Sequence, residues 1–103
     1  MNNEWLKREL NALTYNDDTD VVALRYLLLQ ALSQYVDEYK KVSGTRYALQ
    51  LLQQYKKLES AHYNIKEKSR NNCAGEADFR QAKTVALEHL AKLISFKTLV
   101  TAA

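Results

Sequence analysis

The sequence predicts an all-α fold: an antiparallel bundle of four helices, one short amino-terminal helix plus three long helices, in a single domain over residues 1–103. Three observations carry this expectation. The chain has no proline and only two glycines, Gly44 and Gly75. Proline removes a helix hydrogen bond and glycine costs about 1 kcal/mol in a helix interior, so a chain that keeps both out of its long stretches can run helical almost throughout. Three long stretches repeat their apolar residues at three–four spacing, and the segments between them consist of capping and turn residues. Helix content above two thirds and no β-sheet follow from that pattern.

The first helix is expected from about Asn3 to Leu13. Asn2 or Asn3 can cap it, Glu4 suits the positive end of its dipole, and Leu6, Leu10 and Leu13 form its apolar stripe with Trp5 on the flank. The segment Tyr15-Asn16-Asp17-Asp18-Thr19-Asp20 has no apolar period and is rich in side chains that bond to nearby backbone, which makes it a loop ending in a cap. The second helix follows from about Asp18 to Val42. Val21, Leu24, Leu28, Ala31 and Tyr35 are its seam, widened by Leu27, Leu32, Val36 and Tyr39. Its first half is apolar nearly all round, which marks it as the central element. Lys40 and Lys41 suit its carboxyl end, and Ser43-Gly44-Thr45 closes it, with Gly44 left-handed and Thr45 capping the next helix.

The third helix is expected over about Arg46 to Ser69, with Ala48, Leu51, Tyr55, Leu58, His62 and Ile65 as its seam. Arg70-Asn71-Asn72-Cys73-Ala74-Gly75 is the next break. The fourth helix starts near Glu76 with Glu76 and Asp78 in its first turn, and its stripe is Phe79, Ala82, Ala86, Leu90, Leu93 and Val100. Rods of about 23 residues rise about 35 Å, and short loops force neighbours to run antiparallel.

Composition narrows the class. A chain of 103 residues that is 47% hydrophobic and 26% charged can bury a core without metals or disulfides. No stretch approaches the roughly 20 apolar residues that span a bilayer; Val21 to Leu32 comes nearest and is interrupted by Arg25 and Gln30. The opening Met1-Asn2-Asn3-Glu4-Trp5 lacks the basic-then-apolar order of a secretory signal, and the single Cys73 cannot form an internal disulfide, so a reducing cytoplasmic setting is expected. The net charge of +3 is unevenly spread: residues 1–39 hold three basic side chains against seven acidic ones, and residues 40–103 hold twelve against five. Such a split can steer an acidic partner or favour association of copies.

Few residues have the surroundings that chemistry requires. His62 falls in the third-helix seam between Leu58 and Ile65, where a buried ring with hydrogen-bonded nitrogens is expected. Glu59-Ser60-Ala61-His62 is a Glu-x-x-His step, the spacing that places carboxylate and imidazole on one helix face. Di-iron bundles use two such steps plus two further glutamates. Here there is one step, with Glu38 or Glu88 available only if a dimer supplied the second, and neither a metal nor a cofactor is expected. His89, beside Glu88, is expected as a neutral histidine on the helix surface. No serine, cysteine or lysine has a recognisable nucleophile context, so no enzyme activity is expected. Cys73 would gain reactivity only from Arg70 or the start of the fourth helix.

Ala61-His62-Tyr63-Asn64-Ile65-Lys66 resembles the His-x-x-Lys-Gly core of histidine phosphotransfer domains, four-helix bundles of about this length. The resemblance implies a signalling domain with His62 as phosphoryl acceptor. The lysine stands one residue too far along, and Glu67 occupies the family's glycine position. Arg70-Asn71 resembles the start of the Arg-Asn-…-His motif of a helical ribonuclease superfamily, without the histidine that completes it. Lys56, Lys66 and Arg70 lie on one side of the third helix with Tyr63 among them. Cations beside an aromatic suit a nucleic-acid groove, but Glu59 and Glu67 share that side.

The function expected instead is binding a partner protein through a helical face, as a small adaptor, inhibitor, antitoxin or immunity-type protein. The chain is similar in general profile to bacteriocin immunity proteins, which are small, basic, cytoplasmic helical bundles. Seven tyrosines add to the expectation, since tyrosine is enriched at interfaces. The candidate interface lies on the second and fourth helices: Val22, Leu29 and Val36 sit away from the Leu24, Leu28, Ala31, Tyr35 seam, and Leu87, Ile94, Phe96 and Leu99 lie off the fourth-helix stripe. Contiguous apolar surface on a soluble protein marks an interaction site, and a two-fold homodimer is its commonest cover.

Overall fold

The computed structural model describes residues 3–102, with side chains from 3 to 100. It contains four helices, α1 (Asn3–Ala12), α2 (Asp18–Val42), α3 (Tyr47–Arg70) and α4 (Glu76–Ala102). Of the described residues 86% are helical, above the two thirds expected, and they include no strand. α2, α3 and α4 pack against one another, while α1 lies on α2 and α4 and does not reach α3. The elongated shape, 44 × 23 × 18 Å, is that of long rods joined by short loops.

Each boundary has a local cause. Asp17 caps α2: its side chain accepts from the Thr19 N–H at 2.8 Å, and the Asp20 carboxylate accepts from the Asp17 N–H at 3.1 Å. That reciprocal pair satisfies backbone donors that the first helical turn leaves open. The Asp17 carboxyl titrates below its ordinary range because of the Thr19 hydrogen bonds. After α2, Gly44 takes the left-handed conformation with φ 83°. Arg46, not Thr45, stands at the cap position of α3 and makes no side-chain cap bond, although the Thr45 hydroxyl one residue earlier accepts from the Tyr47 N–H at 3.2 Å.

The end of α3 falls in the break expected there, between Arg70 and Glu76. Asn72, not Gly75, takes the left-handed conformation (φ 55°), and Cys73 and Asn72 donate back to the carbonyls of Lys68 and Ser69 at 2.8 and 3.2 Å. These paired bonds form a Schellman closure, in which asparagine stands where glycine is commonest. Gly75 instead precedes α4, its N–H donating to Asp78 at 3.1 Å. Asp78 also pairs with Lys68, which ties the start of α4 to the end of α3. At the other end of the chain, Asn3 is the first residue of α1 rather than a cap, buried with its Oδ1 unpartnered; Asn2 lies outside the described residues.

The core runs the length of the bundle. Leu24, Leu28, Ala31 and Tyr35 of α2 meet Leu51, Leu58 and Ile65 of α3 and Phe79, Ala86, Leu90 and Leu93 of α4 in one cluster. α1 contributes Leu6 and Leu10, both fully buried. Lys83 holds the end of α1, donating to the Leu13 carbonyl at 2.8 Å and the Asn11 carbonyl at 3.3 Å, while Tyr15 leans its ring on Phe79. A cation on those last carbonyls also suits the negative end of the α1 dipole.

Candidate interaction face

The four-helix packing leaves one side of α2 uncovered. Val22 is 57% exposed, Tyr26 49%, Leu29 50% and Val36 38%, although α2 also carries the most deeply buried side chains of the core. These positions step along the helix by four, three and seven residues, so they form one continuous line. Ser33 completes the same line between Leu29 and Val36, and it too is exposed. At the carboxyl end the line borders a groove of about 250 Å³ between α2 and α3, lined by Tyr35, Val36, Tyr39, Leu51, Leu52 and Tyr55. The stripe is therefore mostly apolar and open, and runs from Val22 to Val36 along the middle of α2.

The α4 half of the expected interface is dispersed. Phe96 is buried, packed edge-on against Tyr47 with ring centroids 6.0 Å apart, and belongs to the core rather than to the surface. The reason is its spacing: Phe96 stands three residues beyond Leu93 and seven beyond His89, both buried. Leu87 and Ile94 are half-buried on one flank of α4. Leu99 is exposed but lines a groove towards α3 on the opposite flank. The four side chains therefore form no single surface.

The two histidines are not placed as expected. His89 is buried, not on the surface. Its Nδ1 lies 2.9 Å from the Val85 carbonyl, which fixes the proton there and leaves Nε2 as a bare, buried acceptor. The backbone carbonyl of His89 accepts the Tyr35 hydroxyl at 2.5 Å, joining α2 to α4 across the core. Burial pushes the Tyr35 phenol well above its ordinary range and holds the His89 imidazole below its own. His62 is only half-buried, because its neighbours at the α2–α3 seam include the charged Arg25 and Lys66. Burial first, and those two cations next, lower its pKa. Its Nε2 is enclosed and unpartnered. Arg25 itself reaches across the seam to the Ser69 hydroxyl at 3.4 Å.

The remaining candidates lie apart from one another. Lys56, Lys66 and Arg70 are exposed on α3, and Arg70 is engaged by Glu67 at 3.2 Å. Glu38 is buried and pairs with Lys41 at 3.6 Å, and Glu88 pairs with Lys92 at 3.3 Å, so neither carboxylate joins Glu59 and His62. Among the described residues no group of three His, Cys, Asp or Glu side chains could hold a metal ion. No helix among them is long and apolar enough to cross a membrane. Cys73 is a free, exposed thiol beside the Asn71 carbonyl.

Tyr26 is the member of the α2 line that sequence reasoning missed. The signal was present in its spacing, four residues after Val22 and three before Leu29. Comparison with known proteins adds no further constraint: the chain matches no protein-family model, no curated protein and no solved structure.

Proposed function

We infer that this chain is a non-enzymatic binding module that holds a protein partner against the outward face of α2, in the manner of a small adaptor, inhibitor, antitoxin or immunity protein of the cytoplasm. One observation carries the reading: Val22, Tyr26, Leu29 and Val36 form one exposed apolar line, interrupted only by Ser33, on the helix at the centre of the fold. A rigid helix presenting such a line is the geometry by which one helix lies against another or in a groove. The line has an aromatic anchor in Tyr26, with Tyr39 at its margin, and tyrosines of this kind dominate interface energetics. Since the inward face of α2 is packed over the same length, the stripe is held in place before any partner arrives, which lowers the ordering cost of binding.

Phosphotransfer has weaker support, because the enclosed Nε2 of His62 and the adjoining Arg25 leave no open approach to that ring nitrogen. A nucleic-acid groove on α3 has weaker support as well, since Glu67 engages Arg70 there. The test is photo-cross-linking in the cells that make the protein. A photoreactive residue at Leu29 or Val36 should form adducts with polypeptide, and Val22→Asp should abolish them. The same residue at Leu49, exposed on α3, should form none. Equal labelling from Leu49, or no adduct from α2, would remove the reading.

A further inference from the structure

We propose that the occupant of the α2 face is a second copy of this chain, lying antiparallel across a two-fold axis that passes beside Leu29. The inference rests on the α2 face being the binding surface, and it adds the identity of the partner and the register.

The valines and the end charges of the exposed line are placed symmetrically about Leu29, whereas Tyr26 and Ser33, three before and four after it, are not. Seven residues before it is Val22 and seven after it is Val36, both exposed valines. Eleven residues before it is Asp18 and eleven after it is Lys40, both exposed and of opposite charge. When a two-fold axis passes beside one residue of an antiparallel helix pair, positions equally far before and after it face each other. Leu29 then meets Leu29 of the second copy, Val22 meets Val36, and Asp18 meets Lys40 at both ends. The contact spans about 33 Å of helix, the rise of the residues between Asp18 and Lys40.

The charges select this orientation over the alternatives. Side by side in parallel, the same two helices would set Asp18 against Asp18 and Lys40 against Lys40. In the antiparallel register the acidic start of each α2 faces the basic end of the other, and no like charges on the line are opposed. A two-fold contact requires a self-complementary patch, and this one is complementary in both shape class and charge. Steps of four and three residues are also those of helices that pack along their length at a shallow angle. A helix from an unrelated protein would have no reason to match the valine spacing and the charge reversal together.

Sedimentation of the full chain from micromolar to millimolar concentration should show a reversible monomer–dimer equilibrium. Leu29→Asp should weaken it by about tenfold or more, with the circular dichroism of the monomer unchanged. In a Cys73→Ser background, Leu29→Cys should form a disulfide-linked dimer on oxidation. Val22→Cys and Val36→Cys should link to each other when mixed, and neither should link to itself. Asp18→Lys should weaken the dimer, and adding Lys40→Asp to it should restore association, which also shows that the first substitution left α2 folded. A chain that stays monomeric at millimolar concentration, a Val22–Val22 link, or a dimer indifferent to Leu29→Asp would overturn the proposal. The two readings fail separately: a monomeric chain whose Leu29 still cross-links to a different protein in cells loses the self-pairing but keeps the binding face.

Discussion

α2 and α4 look alike as sequences, long helices with more apolar residues than one seam needs, yet the bundle treats them differently. On α4 the extra side chains are absorbed or scattered: Phe96 enters the core, Leu87 and Ile94 are half-covered, and Leu99 stands on the opposite flank. On α2 the extra side chains align on one face and stay open. What separates the two is alignment, not apolar content. Residues spaced by three, four and seven share a face, and a face either finds a neighbour within the chain or is left for one outside it. α1 is too short to cover more than the side of α2 shared with α4.

The largest effect that could break this contrast is on Phe96. Removing a buried aromatic leaves a cavity, so Phe96→Ala should lower stability by about 3–5 kcal/mol in urea titration. Leu99→Ala, three residues on, should change it by no more than about 0.5 kcal/mol. If Leu99 proved the costlier of the two, the placement of the α4 faces would be wrong.

How much of this was legible in the sequence follows from which residues carried it. Helix boundaries were readable because their causes are local: the Asp17–Asp20 box and the left-handed Gly44 act within a few residues. The break after α3 was readable over residues 70–75, but not which of its residues would close the helix, and Asn72 took the left-handed position. The α4 face was drawn too narrow. Phe96 stands three residues after Leu93 and four before Val100, both in the expected stripe, so its spacing already placed it on the seam. The α2 stripe was legible in part: spacing set Val22, Leu29 and Val36 off the seam, and all three are exposed, but that no other element covers them depends on what the rest of the chain brings to that face. For the same reason Tyr26 had spacing to recommend it but nothing to show that it was exposed.

A smaller effect tests the link between the two helices. Tyr35 is the polar tie from α2 to α4, through its 2.5 Å bond to the His89 carbonyl. Tyr35→Phe keeps the ring and removes only that bond, at a net cost of about 0.5–1.5 kcal/mol by thermal or chemical unfolding. A larger loss would mean that the hydroxyl also positions α4, and then Phe96 should repack, visible as a changed near-ultraviolet signal.

Acid should reach both helices through the histidines. His62 beside α2 and His89 on α4 both titrate below the ordinary 6.5, with burial the first cause in each. The unfolded chain therefore takes up protons before the folded one, and the stability they contribute is complete above pH 6.5 and lost as the pH falls below it towards the lowered values. The urea midpoint should decline over that window. His89→Gln and His62→Gln should each flatten the decline, whatever they do to the midpoint at neutral pH. A midpoint that rises on acidification would reverse the sign and require both rings to be protonated in the fold.

The smallest expected effect is on the α2 face itself. Each of Val22→Ser, Leu29→Ser and Val36→Ser should alter the stability of the dilute monomer by no more than about 0.5 kcal/mol, because an exposed side chain loses little contact when it is replaced. Concentration makes the same substitutions visible. A contact between copies stabilises the folded chain by mass action, so the unfolding temperature of the unmodified protein should climb with concentration while that of the triple variant stays flat. The core substitutions behave in the opposite way: Phe96→Ala lowers the unfolding temperature at every concentration and leaves its climb intact. Two helices of similar composition would then be separated by one variable, with α4 setting the intercept of the curve and α2 its slope. A slope that survives the triple substitution would place the contact on some other face and leave the α2 stripe without a role in association.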